Sequence, residues 1–143
     1  MSFEEKHWWA YAAIAMVVPA IYFTIVLPQA AGRSVDEIEF QLPLLTAGGA
    51  GVVLGILASI VLRIASDMGS PRGAAMTDQR DRDIHRLGEY VGGIVLAVAM
   101  AVPFVLALLE ASHFWIANAM YLAFVLSALA GSAVKLVIYR RGF

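Results

Sequence analysis

The sequence predicts an all-α fold, a transmembrane four-helix bundle, from three observations. First, 61% of the 143 residues are hydrophobic and only 15% are charged, whereas a water-soluble domain carries about 25% charged residues. Second, the mean hydropathy of +0.78 requires lipid around the apolar surface. Third, there are four uncharged runs, each long enough for a helix to cross the roughly 30 Å hydrocarbon core. These predicted spans are residues 8–27, 42–62, 90–109 and 114–134 of a single integral membrane domain, 1–143.

The connections between the spans differ in length and character. Span one contains Pro19 and span three contains Pro103, and each proline predicts a bend because it has no backbone N–H. The first loop, Pro28–Gln41, is acidic. The connection Glu110–His113 is short and predicts that spans three and four form an antiparallel hairpin.

The distribution of Lys and Arg predicts the orientation of the bundle. One side carries only Arg33, and the other carries Lys6, Arg63, Arg72, Arg80, Arg82, Arg86, Lys135, Arg140 and Arg141. We therefore expect both termini and the 63–89 segment to be cytoplasmic. Arg63 and Lys135 follow directly after spans, where long side chains can extend to the inner headgroups.

Small residues recur along three spans at helical spacing, which allows close approach of helices in lipid. The predicted helix-packing residues are Gly51 and Gly55 in span two, Gly93 and Ala97 in span three, and Ala123, Ser127 and Gly131 in span four. Span one has no ridge of that length. We expect spans two, three and four to form the tight core with span one at the periphery; the same ridges can also serve a homodimer.

The 63–89 segment is the only long polar stretch between apolar runs. Its first part, Asp67–Met76, is typical of a flexible connector, and Thr77 predicts the N-cap of a helix that leads into span three. The candidate interaction surface on this helix comprises Asp78, Arg80, Asp81, Arg82, Asp83 and Arg86. Its arginines can bind anionic lipid headgroups or an acidic protein surface. The alternatives are a divalent-cation site and a solvated helix neutralised by its own pairs, such as Asp81 with His85.

The spans lack the residues that intramembrane chemistry generally needs. No run contains Asp, Glu, His, Lys or Arg, whereas proton-coupled transporters and pumps use such groups within the membrane. The chain has no cysteine, which excludes thiol chemistry. His7, His85 and His113 lie outside the runs, so surface positions are favoured over haem or metal ligation. We therefore predict no catalytic, cofactor-binding or metal-binding residues.

The segment TDQRDRDIHRLGEYVG resembles an uncharacterised actinobacterial family of small four-span membrane proteins, in which an Asp-x-Arg-Asp-x-x-Ile motif precedes the third span. The similarity extends to the opening FEEKHWW and to the closing HFWIANAMYLAFVLSALAGSAVKLVIYRRGF. The resemblance implies a bacterial inner-membrane location and transfers no catalytic or binding residues.

These observations favour a non-enzymatic interaction or regulatory protein of the inner membrane that uses its cytoplasmic 77–89 helix. Its expected partners are the lipid bilayer and either a protein at the cytoplasmic face or a second copy of the chain. The net charge of −1 gives no indication of nucleic-acid binding. The alternative is a small transporter or channel, monomeric or dimeric, whose path runs between the small-residue ridges.

Overall fold

The computed structural model describes residues 3–69 and 79–141, and within them the chain is helical apart from short connections. The helices are α1 (Phe3–Gly32), α2 (Gln41–Gly69), α3 (Gln79–Ala99), α4 (Ala101–Leu108) and α5 (His113–Arg141), with one 3₁₀ turn at Val35–Glu37. Four stretches are long and apolar enough to cross a membrane, and α3 and α4 together form one of them. The predicted all-α bundle of four spans is confirmed.

The helices extend beyond the uncharged runs that predict them. α1 continues through Pro28 to Gly32, and α2 continues past Leu62 to Gly69. The predicted connector at 67–76 therefore begins too early, because its first three residues are helical. The rest of that connector and the predicted N-cap, Thr77, lie outside the described residues.

The third span is interrupted where proline predicts a bend. α3 ends at Ala99 and α4 begins at Ala101, with Met100 between them. Because Pro103 has no N–H, the carbonyl of Ala99 loses its usual helical donor. Backbone bonds on either side still bridge the break, from Met100 N to Leu96 O (2.9 Å) and from Phe104 N to Met100 O (3.2 Å).

The turn between α4 and α5 has the hydrogen bonds of a Schellman motif. Ala111 N donates to Leu106 O (3.0 Å), and Glu110 N donates to Ala107 O (3.1 Å). Glu110 has φ 54°, the left-handed conformation that this position requires. The tight turn places α5 antiparallel to α4, as the short connection predicts.

α5 is the central helix of the bundle. Its most extensive contact is with α3, and it also packs against α1 and α4, whereas α2 packs chiefly against α1. The prediction that spans two, three and four form the tight core, with span one peripheral, was therefore wrong. α1 lies between α2 and α5, and α2 is the peripheral helix.

The two ends of the bundle differ in composition. We call the end with the start of α1, the start of α3 and the end of α5 the charged end, and the opposite end the loop end. At the loop end a buried apolar cluster joins α1, the first loop and α5, and it contains Tyr22, Val26, Ile38, Phe40 and Phe114. The first loop thus contributes core residues as well as acidic ones.

Candidate functional site

The predicted interaction surface at the start of α3 is only partly exposed. Arg80, Arg82, Asp83 and Arg86 are exposed, whereas Asp78 lies outside the described residues. Asp81 is half-buried and accepts a hydrogen bond from the Tyr139 hydroxyl of α5 (2.9 Å). The Asp81 carboxylate therefore packs against α5, and the fully exposed part of the predicted surface does not include it. We call the exposed set Arg80, Arg82, Asp83 and Arg86 the basic face.

The inward face of α3 follows from helical periodicity. Asp81, Ile84, Gly88 and Gly92 are spaced by three and four residues and point towards α5. Ile84 has 0% relative exposure, although it stands among charged residues in the sequence. The spacing of Ile84 from Gly88 and Gly92 was the available signal for this face.

Gly88 and Gly92 permit close backbone contact between α3 and α5. A Cβ atom on Gly92 would lie 3.1 Å from Ser127 O, and one on Gly131 would lie 3.0 Å from Gly88 O. The Ser127 hydroxyl donates to Gly92 O (2.8 Å), which adds an interhelical hydrogen bond. Helix association in lipid depends on this kind of small-residue packing.

The predicted helix-packing residues divide into two groups. Ala123, Ser127 and Gly131 of α5 lie in packed positions, and Gly55 of α2 lies against the Tyr11 ring, 3.5 Å from the position of an added Cβ. Gly51 has no atom within 4 Å of an added Cβ. Gly93 and Ala97 are exposed. The packed face of α3 contains Gly92, so the ridge predicted at Gly93 and Ala97 begins one residue away from that face.

Lys135 of α5 is the central residue of the charged end. Only 1% of the residue is exposed. Its Nζ donates to Glu89 Oε1 of α3 at 2.6 Å and lies 3.5 Å from the centre of the Trp8 ring of α1. The expectation that Lys135 extends to the headgroups was wrong: its side chain turns inward and joins three helices.

Gly88 provides the space for this lysine. The Lys135 stem lies directly on the α3 backbone, where a Cβ on Gly88 would overlap Lys135 Cε and stand 2.6 Å from Lys135 Cγ. A buried ammonium is stable only with a counter-charge and further polar contacts. Here the contacts are a carboxylate and an indole face, a cation–π arrangement.

Further contacts tie α1 to the ends of α3 and α5. The ring of His85 lies 5.8 Å from the ring of Trp8. Arg140 Nε is 3.7 Å from Glu5 Oε1, and the Arg140 guanidinium lies 5.2 Å from the centre of the Trp9 ring. The tryptophans that open span one, Trp8 and Trp9, therefore pack against cationic residues of α5.

A groove of about 920 Å³ runs along the bundle between α2 and α3, with α1 and α5 as its floor. Its lining is mainly apolar and includes Gly48 and Gly51 of α2 and Gly93 of α3. None of these three glycines has an atom within 4 Å of an added Cβ. Glu89 lines the groove at the charged end, and 64% of its side chain is exposed. We call this feature the central groove.

Sequence reasoning placed Glu89 and Lys135 outside the spans, as flanking residues of separate runs. They meet because α3 and α5 each continue past the runs and cross at glycines. The adjacency of Gly88 and Glu89 was a weak signal for this arrangement. Among the residues that the structure describes, no group of three His, Asp or Glu side chains is placed to hold a metal ion.

The fold and these contacts define a multi-pass membrane protein with four helical spans. Comparison with known protein families, with curated proteins and with solved structures gave no match. The resemblance to the four-span actinobacterial family therefore stays a prediction that rests on the sequence motifs alone.

Proposed function

We propose that this chain is a non-enzymatic membrane protein that acts as an interaction or regulatory partner through the basic face of α3. The observation that carries the proposal is the asymmetry of that face. Arg80, Arg82 and Arg86 are exposed together with one acid, Asp83, while Asp81 packs against Tyr139. Among the described residues at the start of α3, three exposed arginines therefore stand beside one fully exposed acid.

The proposal places the basic face on the cytoplasmic side of a bacterial inner membrane, with both termini cytoplasmic. Support for the orientation comes from the nine Lys and Arg residues at the charged end and in the 63–89 segment, against Arg33 alone on the other side. The bacterial inner membrane is the location that the family resemblance implies.

The partner that fits the basic face is a protein with an acidic surface. Complementary charges raise the rate of association and select against wrong partners more than they add affinity. Binding through this face is therefore expected to be fast, reversible and sensitive to salt. It should weaken steeply as ionic strength shortens the Debye length below about 10 Å.

Crosslinking in cells followed by co-purification in mild detergent tests the proposal. The variant Arg80→Ala/Arg82→Ala/Arg86→Ala should lose the acidic partner, because no cation of the basic face remains. Arg33→Ala is the matched control, since it removes an exposed arginine from the opposite end. Asp83→Asn should increase partner recovery, because it removes the anion of this face. The same partner set in the triple variant and the wild type would refute the proposal.

The central groove favours a second candidate, a small transporter or channel. An apolar groove of about 920 Å³ with Glu89 at its charged end provides part of a path along the bundle, from His7 to Pro19 of α1. Gly51→Leu tests this, because Gly51 lines the groove and has no neighbour for a new side chain to displace. Flux of a broad solute panel into proteoliposomes should fall in this variant. Absence of any flux with the wild type would refute the second candidate.

A further inference from the structure

The central groove has the dimensions of a ligand-binding site. Its volume of about 920 Å³ falls within the range of roughly 300–1,000 Å³ typical of small-molecule pockets. Along α1 it extends from His7 to Pro19, which at 1.5 Å per residue is about 18 Å. This shape fits a long apolar chain that lies parallel to the helices.

The polar groups that line the groove are mostly satisfied within the protein. The hydroxyls of Ser59, Ser127 and Ser132 each donate to a backbone carbonyl at 2.8 Å. Glu89 differs, because the hydrogen bond from Lys135 Nζ goes to its Oε1 atom and 64% of its side chain remains exposed. An ionised carboxylate offers about four acceptor positions, so Glu89 can accept further hydrogen bonds from a ligand.

The accessible charge in the groove is negative. Lys135 also lines the groove, but only 1% of the residue is exposed, and its ammonium contacts Glu89 and the Trp8 ring. Because Lys135 already balances the charge of Glu89, a net Coulomb attraction contributes little. A ligand group must instead donate hydrogen bonds directly to the carboxylate. A primary ammonium has three donors that form charge-assisted bonds, whereas a hydroxyl has one neutral donor. The Trp8 ring is already occupied by the Lys135 ammonium, but the Tyr11 ring also lines the groove and adds an aromatic neighbour for a cationic group.

We propose that the central groove binds a single-chain amphiphile with a primary ammonium head. The ammonium donates to Glu89 at the charged end, and the alkyl chain lies between Gly48 and Gly51 of α2 and Gly93 of α3. These glycines leave open space along the walls, so the chain fits without displacing side chains. This site is separate from the basic face and does not depend on the proposed protein interaction.

Tryptophan quenching in nanodiscs tests the proposal. The chain has three tryptophans, and the background Trp9→Phe/Trp115→Phe leaves Trp8 as the only reporter. The probes are spin-labelled alkyl chains of one length that carry a primary ammonium, a trimethylammonium, a hydroxyl or a sulfate head. We expect saturable quenching by the primary ammonium probe and about tenfold or more weaker binding of the other three.

Two variants test separately the charge of Glu89 and the open space of the central groove. Glu89→Gln should weaken binding of the ammonium probe about tenfold or more, because it removes the anionic acceptor. Glu110→Gln is its matched control, since it neutralises an exposed glutamate at the loop end, and it should bind as the wild type does. If Glu89→Gln destabilises the fold by leaving Lys135 unpaired, Gly51→Leu replaces it as the decisive variant. It fills the groove without altering any charge and should also abolish saturable quenching.

The results that would overturn the proposal are distinct from those that test the basic face. Equal, non-saturable quenching by ammonium and hydroxyl probes would indicate ordinary partition into the bilayer and refute the site. Tighter binding of the sulfate probe would assign the groove to an anionic amphiphile and refute the role of Glu89. Unchanged binding of the ammonium probe in Gly51→Leu would also refute the proposed site. The triple arginine variant should bind the ammonium probe normally.

Discussion

Gly88→Ala should destabilise the bundle more than any other single-methyl addition on α3. The new Cβ would overlap Lys135 Cε and would lie 2.6 Å from Lys135 Cγ and 2.9 Å from Gly131 O. The lysine stem can move, but the Gly131 carbonyl belongs to the α5 backbone and cannot move without separating the helices. Overpacking of this kind costs about 1–3 kcal/mol.

The displaced lysine adds a second cost. If Lys135 swings away, its ammonium loses Glu89 and the Trp8 ring. Removing one partner of a fully buried pair costs about 3–5 kcal/mol, but Glu89 keeps 64% of its side chain exposed, so solvent screening reduces this term to about 1 kcal/mol. We expect Gly88→Ala to lower the free energy of unfolding by about 2–4 kcal/mol in total.

Unfolding by SDS in mixed micelles, followed by circular dichroism, measures this difference. Gly93→Ala is the matched control, since it adds the same methyl group to the same helix in open space. It should be neutral or stabilise by about 0.5–1 kcal/mol through helix propensity. The double variant Gly88→Ala/Lys135→Ala has no long side chain at position 135 to clash with the new methyl group. It should therefore be more stable than Gly88→Ala/Lys135→Met, in which methionine keeps most of the length of the lysine stem. Equal unfolding midpoints for Gly88→Ala and Gly93→Ala would refute the close α3–α5 contact.

Three further predictions concern the loop end and the orientation. Tyr22→Phe removes the hydroxyl that donates to Asn118 Oδ1 at 2.9 Å and should cost about 0.6–1.7 kcal/mol in the same unfolding assay; no change would show that this bond contributes nothing net. Glu110→Gly relieves a positive φ of 54° and should stabilise by about 0.5–1 kcal/mol, with Glu110→Ala as the control that keeps the strain. Reporter fusions at the C-terminus and within Pro28–Gln41 should report opposite sides of the membrane, and signals from the same side would refute the orientation.

The position of Lys135 shows where sequence reasoning reached its limit. A lysine that follows an apolar run normally extends to the interface, since hydration of its ammonium is favourable. The chain allows a different solution because Gly88 leaves a channel for the stem and Glu89 lies next to it. This arrangement joins residues 46 positions apart, and no local pattern in either run indicates their register.

The basic face is a second feature that the sequence predicts only in part. The sequence has alternating acids and arginines from 78 to 86, which favours a helix neutralised by its own pairs. The hydrogen bond from Tyr139 holds the Asp81 carboxylate against α5, so the fully exposed acids and arginines described in this stretch are Arg80, Arg82, Asp83 and Arg86.

The amino-acid sequence was enough to predict that the chain is helical and membrane-spanning, how many spans it has, and that the third span is interrupted near Pro103. Those properties depend on local quantities: the length of uncharged runs, the absence of backbone partners in lipid, and the missing N–H of proline. Only the folded bundle shows which helices pack together, which glycines are in contact, and that Lys135 turns inward to Glu89. Apolar runs are alike in hydropathy on every side, so the order of the helices depends on close backbone contact at Gly88, Gly92 and Gly131, which is a property of paired surfaces.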